Sequence, residues 1–207
     1  VSDIQLSGNS SIYGLSSEAF ESCDNLKVVN ISEDGGPLTI SSAFENTNIL
    51  KITIPSRVIA LYGTFENCDN LKSADIKGEP IISGAFKNCS SLTKVSLGNT
   101  KQILSETFSG CINLEDIKIP DSVTQIGDNA FKNCEKLTLI EISSNVTSIG
   151  ANSFLGCDSL DAVYVAQRRA NSPFKDNIGW GAPNNIGKYF LGEYISTEHT
   201  KTERIDG

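Results

Sequence analysis

Apolar positions along the chain fall into one frame that returns every 21 to 24 residues. Phenylalanines stand at 20, 44, 65, 86, 108, 131 and 154, each preceded by a small residue: Ala19, Ala43, Thr64, Ala85, Thr107, Ala130 and Ser153. Three residues on come Cys23, Thr47, Cys68, Cys89, Cys111, Cys134 and Cys157. Three further on come Leu26, Leu71, Leu92, Leu114, Leu137 and Leu160, with Ile49 in the short second unit. The pattern then alternates, as in Ile117 and Ile119 or Ile140 and Ile142. Period two with β-branched residues predicts a strand with one buried face, and one such strand per unit stacks into a parallel sheet. After Pro120 the chain turns, and Val123 and Ile126 point inward again, which predicts a second short strand. From Asp128 to Cys134 an Asp-Asn pair precedes a Phe and a Cys three apart, the spacing of a single capped helical turn. The periodicity therefore predicts a right-handed solenoid: a parallel sheet on one face, short strands and single helical turns on the other.

The unit Ile119-Pro120-Asp121-Ser122-Val123-Thr124-Gln125-Ile126-Gly127, continuing through Ala130-Phe131 and Cys134 to Leu137, is the fullest copy, and Ile142 to Leu160 matches it closely. Ile54 to Leu71 departs from it, with Arg57 and Tyr62 in place of the usual Ser and Gly. This motif closely resembles the BspA-like class of leucine-rich repeats found in bacterial and protist surface proteins, over about residues 4 to 165. The resemblance implies a leucine-rich repeat solenoid that is non-enzymatic, sits at the cell surface or is secreted, and mediates adhesion to host extracellular proteins or other cells. The competing class is a structural spacer or self-assembly module presenting another domain. The repeat motif itself carries no catalytic or ligand residue.

Residues 1–165 are read as an array of about seven units, with Ile4 and Leu6 as the strand of a leading coil inside a longer array. Residues 166–195 hold Phe174, Trp180, Tyr189, Phe190 and Tyr194 and are read as a C-terminal cap, because a solenoid leaves the apolar face of its last coil open. Residues 196–207 are polar and unpatterned, and read as a tail or linker.

Composition narrows the function classes. With 17 Lys and Arg against 25 Asp and Glu, the formal net charge is −8, which argues against nucleic-acid binding. No stretch approaches the roughly 18 apolar residues of a membrane span, so no membrane insertion is expected. A single histidine, His199, removes nearly every mechanism that depends on imidazole. The 6 cysteines share one frame position and lie at least 21 residues apart, so they read as a column of free, buried thiols rather than disulfides or a metal site. No cofactor is expected. Glu115-Asp116 and Glu141 are carboxylates in or beside strands without a catalytic partner, and sequons at Asn9, Asn30, Asn88 and Asn145 are candidate glycan acceptors.

The exposed face of the sheet remains as the candidate site. One outward column runs Asn30, Thr53, Asp75, Ser96, Lys118, Glu141 and Tyr164; its neighbour runs Val28, Lys51, Ser73, Lys94, Asp116, Leu139 and Ala162. The protein-binding residues expected from these columns are Lys94, Ser96, Asp116, Lys118, Leu139, Glu141 and Tyr164, with an anchor near Tyr164. The expected partner is an extracellular protein or glycan, with self-association the other outcome.

Overall fold

A computed structural model of the chain describes residues 2–6, 14–16, 19–160, 162–165 and 189–191. Two strands per coil alternate through it: β1 (Asp3–Leu6), β2 (Gly14–Leu15), β3 (Val28–Ile31), β4 (Leu38–Ser41), β5 (Lys51–Ile54), β6 (Val58–Tyr62), β7 (Ser73–Ile76), β8 (Ile81–Ser83), β9 (Lys94–Ser96), β10 (Gln102–Ile103), β11 (Asp116–Lys118), β12 (Gln125–Ile126), β13 (Leu139–Ile142), β14 (Ser148–Ile149), β15 (Ala162–Val165) and β16 (Tyr189–Leu191). The even-numbered strands from β2 to β14 form one parallel sheet in coil order. The odd-numbered strands stack opposite it in three hydrogen-bonded blocks, β1–β3, β5–β7–β9 and β11–β13–β15, and β16 pairs in parallel beyond β15. The expected cap and tail lie almost wholly outside the described residues.

The core is a set of columns. The seven phenylalanine rings stack at centroid separations of 5.3 to 5.7 Å, with neighbouring planes within 16° of parallel. That is offset stacking, worth about 0.5–1.5 kcal/mol per pair beyond burial. All six cysteines are unpaired; five are buried and Cys23, in the first coil of the column, is half-buried. Each inner thiol donates to the carbonyl of the preceding coil's phenylalanine: Cys68 to Phe44, Cys89 to Phe65, Cys111 to Phe86, Cys134 to Phe108 and Cys157 to Phe131, at 3.0 to 3.2 Å. Burial pushes the thiols of Cys68, Cys89, Cys111 and Cys134 upward, so they stay protonated as donors. In the slot before the ring, Thr64, Thr107 and Ser153 bury a hydroxyl that donates to Ile40, Ile82 and Gly127 of the coil before.

The expected helical turn is not formed. The Phe-x-x-Cys segment is a run of tight turns, with Cys68 N–H donating to Phe65 C=O and Leu71 N–H to Cys68 C=O. A helix would direct each N–H back within its own coil. Here Phe65 N–H donates to Ala85 C=O and Asn67 N–H to Lys87 C=O of the next coil, and the same pair of bonds recurs down the stack. Asp128, expected to cap that turn, instead accepts from Ala151 N–H of the following coil. Holding these N–H groups outward requires two left-handed residues per coil. One column is Ser22, Asn46, Asn67, Asn88, Gly110, Asn133 and Gly156, with φ between 54° and 77°; the other is Ser42, Gly63, Gly84, Glu106, Asn129 and Asn152, with φ between 44° and 58°. Asn and Gly are the residues that enter this region at least cost. Gly127 answers a different need: a Cβ there would stand 2.6 Å from the Leu104 carbonyl carbon, so the chains could not approach.

Arg57, a departure from the repeat motif, clamps the turn at 32–37 of the coil before it by donating from Nε to Ser32 C=O (2.7 Å) and from Nη1 to Gly36 C=O (3.1 Å). The register between β4 and β6 shifts at Leu38 and Thr39, leaving Ile59 unpaired and exposed.

Two outcomes follow from the columns. Phe86→Ala removes a ring stacked on both sides and should cost about 3–5 kcal/mol in urea unfolding, near the top of the range for a core truncation. A thiol reagent applied to the native chain should label Cys23 first, with the five inner thiols reacting at the rate of unfolding.

Candidate functional site

Alternation within each odd-numbered strand turns every second side chain away from the core, and within each hydrogen-bonded block the parallel register stacks those side chains into columns. The observed pairings are Lys51 with Ser73 and Lys94, Thr53 with Asp75 and Ser96, Asp116 with Leu139 and Ala162, and Lys118 with Glu141 and Tyr164. These are the columns expected from the repeat. Lys94, Ser96, Asp116 and Lys118 are exposed, while Leu139 and Glu141 are half-buried. Tyr164 takes its expected register position beside Glu141; its side chain lies outside the described residues. Ser96 and Lys118 belong to different hydrogen-bonded blocks, so the seven residues divide between β9 and the β11–β13–β15 block.

Two features of this face had no counterpart in the sequence reading. A depression of about 340 Å³ opens where the strands begin, lined by Glu115, Asp116, Lys136, Thr138 and Ser159. Its signal in the sequence is the Glu115-Asp116 pair. The second is the column one residue ahead of the strands. Leu50 N–H donates to Lys27 C=O, Lys72 N–H to Leu50 C=O and Thr93 N–H to Lys72 C=O, which places these four residues side by side on successive coils. Its signal was the lysine directly after the repeat leucine, at Leu26-Lys27 and Leu71-Lys72.

Charge on the turn side is arranged differently. Glu21, Glu45 and Glu66 occupy one frame position on successive coils, followed by Lys87, which pairs with Glu66 (3.5 Å) and Glu106 (3.0 Å). Partial burial, then repulsion from Glu66 and Glu21, hold the Glu45 carboxyl above its ordinary range. Hydrogen bonding to Glu106 holds Lys87 upward in turn. Among the described residues no cluster of three or more His, Cys, Asp or Glu is placed to hold a metal ion, and no helix is long and apolar enough to cross a membrane. Of the four sequons, Asn30 stands exposed on β3, Asn88 donates its amide to Asn67 (2.9 Å) and Asn145 donates to Asp121 C=O (2.7 Å); Asn9 lies outside the described residues.

The family profile described as a BspA type leucine rich repeat region matches the chain in 6 copies, over residues 2–83 and 79–172. No curated protein sequence matches it. Among solved structures, a leucine-rich repeat protein from Bacteroides ovatus ATCC 8483 is similar with a TM-score of 0.71 and 24% identity, covering 93% of this chain and 54% of that one. A leucine rich cell surface protein from Faecalibacterium prausnitzii A2-165 is similar with a TM-score of 0.49 and 21% identity, covering 82% of this chain and 61% of that one. The chain thus spans little more than half the length of these structures.

The glutamate stack sets the sign of a pH effect. A carboxyl whose pKa is raised on folding costs stability while ionised, and that cost fades as pH falls through the carboxylate range. Glu45→Gln should therefore raise stability at pH 7 by about 0.3–0.5 kcal/mol, allowing for solvent screening. Thermal unfolding of the two proteins should converge near pH 4, the ordinary glutamate range; a gain that stayed constant with pH would show that repulsion is not its origin.

Proposed function

The chain belongs to the BspA-type leucine-rich repeat family, and from that membership we propose that it is a non-enzymatic binding module, at the cell surface or secreted, that adheres to extracellular proteins or other cells through the exposed face of its odd-numbered strands. The observation that carries this reading is a division of labour between the two faces of each strand. Ile117 and Ile140 close the core, while Asp116, Lys118 and Lys94 project from the other face without a structural task in the stack. Such side chains are free to be chosen for a partner, and a mixed-sign polar surface suits a wet contact of moderate affinity. The reading rests on the family for its setting and on the site for its location, since a fold by itself does not fix a function.

Immobilised extracellular-matrix and plasma proteins, probed with the purified chain by surface plasmon resonance, provide the test. Saturable binding to at least one of them is expected. The double variant Lys118→Ala/Tyr164→Ala should weaken it by about tenfold or more, the loss of one interfacial anchor, with an unchanged melting temperature. Binding that survives the double change would move the contact away from this part of the face. Silence across the panel, with a light-scattering mass of a defined oligomer, would replace adhesion by self-assembly.

A further inference from the structure

On the same face, and resting on the reading of that face as a protein-binding surface, the strand-start edge carries a basic strip in a chain whose net charge is −8. Lys27, Leu50, Lys72 and Thr93 form one column by their backbone hydrogen bonds. Lys51, Ser73 and Lys94 form the adjacent one by register, with Val28 ahead of them on β3. Over four successive coils the pairs are thus Lys27-Val28, Leu50-Lys51, Lys72-Ser73 and Thr93-Lys94. All four lysines are exposed, and among the described residues none is in an ion pair. Asp3, paired with Val28, bounds the strip at one end, and Glu115 and Asp116 on the following coil bound it at the other. Asp75, one strand position further along, is already occupied by Lys77 at 2.5 Å. Asp24 and Asp69 lie in the preceding turns, three residues before Lys27 and Lys72, and Asp69 accepts from Ser90 Oγ.

Set among the lysines are two exposed aliphatic side chains, Val28 at 39% and Leu50 at 44% exposure. They decide between anionic partners. A sulfated glycan or a nucleic-acid backbone would satisfy the ammonium groups and leave Val28 and Leu50 in water, and no described aromatic side chain stands in the strip to stack a base. An anionic membrane would also meet Asp3, Glu115 and Asp116, whose charges it repels. A polypeptide supplies carboxylates and aliphatic groups together, on a strand narrow enough to follow the columns. Lysines in one column recur every second coil, about 9.6 Å apart, and a polyproline II chain returns a side chain to the same side every third residue, about 9.3 Å apart.

We propose that the strip of Lys27, Lys51, Lys72 and Lys94, with Val28 and Leu50 between them, is the docking surface for an extended acidic polypeptide segment bearing aliphatic side chains. Its carboxylates pair with the ammonium groups, and its aliphatic side chains cover Leu50 and Val28. Affinity is electrostatic in large part and falls with salt.

Fluorescence anisotropy of a labelled peptide of repeated Glu-Leu-Pro tests it. The chain should bind this peptide saturably, and at least tenfold more tightly than repeated Gln-Leu-Pro or Glu-Ser-Pro. Lys51→Glu/Lys72→Glu should lose at least tenfold, Leu50→Ser severalfold, and Lys132→Ala, on the turn side at the frame position of Lys87, nothing, all with wild-type melting temperatures. The proposal is overturned by no saturable binding, by binding indifferent to the Lys51/Lys72 change, or by heparin or phosphatidylserine vesicles binding the chain as tightly as the peptide. If the peptide fails while the extracellular-protein panel still binds and still depends on Lys118 and Tyr164, the strip alone is removed and the adhesive face stands.

Discussion

No coil of this chain can bury its own core. A unit of some two dozen residues folds into a ring one strand thick, so every apolar side chain it turns inward is covered only by the coils above and below. That constraint makes the columns obligatory. A phenylalanine between Phe65 and Phe108 must be a ring of the same size in the same pose, or the rings on both sides lose their contacts. It also explains the cysteines. The slot after each ring must be small and able to lie buried; the thiol meets both needs and donates to the phenylalanine carbonyl one coil earlier, while Thr47 fits the same place with its hydroxyl donating to Phe44 C=O of its own coil. The inner thiols are structural hydrogen-bond donors, and the burial that raises the pKa of Cys68, Cys89, Cys111 and Cys134 keeps those four protonated.

The same constraint governs the turns. Because neighbouring coils meet all the way round, backbone N–H groups on the turn side bond to the next coil just as strand groups do. A helical turn would direct those groups along its own axis and break the ladder. Left-handed residues are the device that keeps them pointing between coils, and this accounts for the recurrence of Asn and Gly at these positions.

Legibility in the sequence followed the same division. Inward columns repeat one residue type, so Phe, Cys and Leu at fixed spacing were enough to place the strands, the core and the register of the outward face. The turn was misread because a Phe and a Cys three apart share a face in a helix and in a chain of tight turns alike. The residue before each cysteine, Asn67, Asn88, Gly110, Asn133 or Gly156, held the deciding signal, since a left-handed position at fixed phase excludes a helix. The outward columns stayed opaque for an opposite reason. Stacking asks little of Lys51, Ser73 or Lys94, so their identities vary and carry no period. Along the chain the lysine strip shows only as a lysine after Leu26 and after Leu71, because its members alternate between two frame positions and meet only when coils are superposed.

That alternation is itself physically meaningful. Two lysines at the same frame position on adjacent coils would face each other across about 4.8 Å, and like charges directly opposite in a sheet destabilise it. In this strip no lysine has another directly beside it on the next coil: Lys27 and Lys72 both flank Leu50, and Lys51 and Lys94 both flank Ser73. Positive charge is thus concentrated over a length of about 14 Å without a direct repulsive contact. At physiological salt, charges are screened over about 8 Å, so an approaching segment feels the strip rather than the acidic average of the chain. The scaffold can be acidic as a whole and basic along one edge because its stability resides in inward columns, leaving the outward ones free to carry charge of either sign.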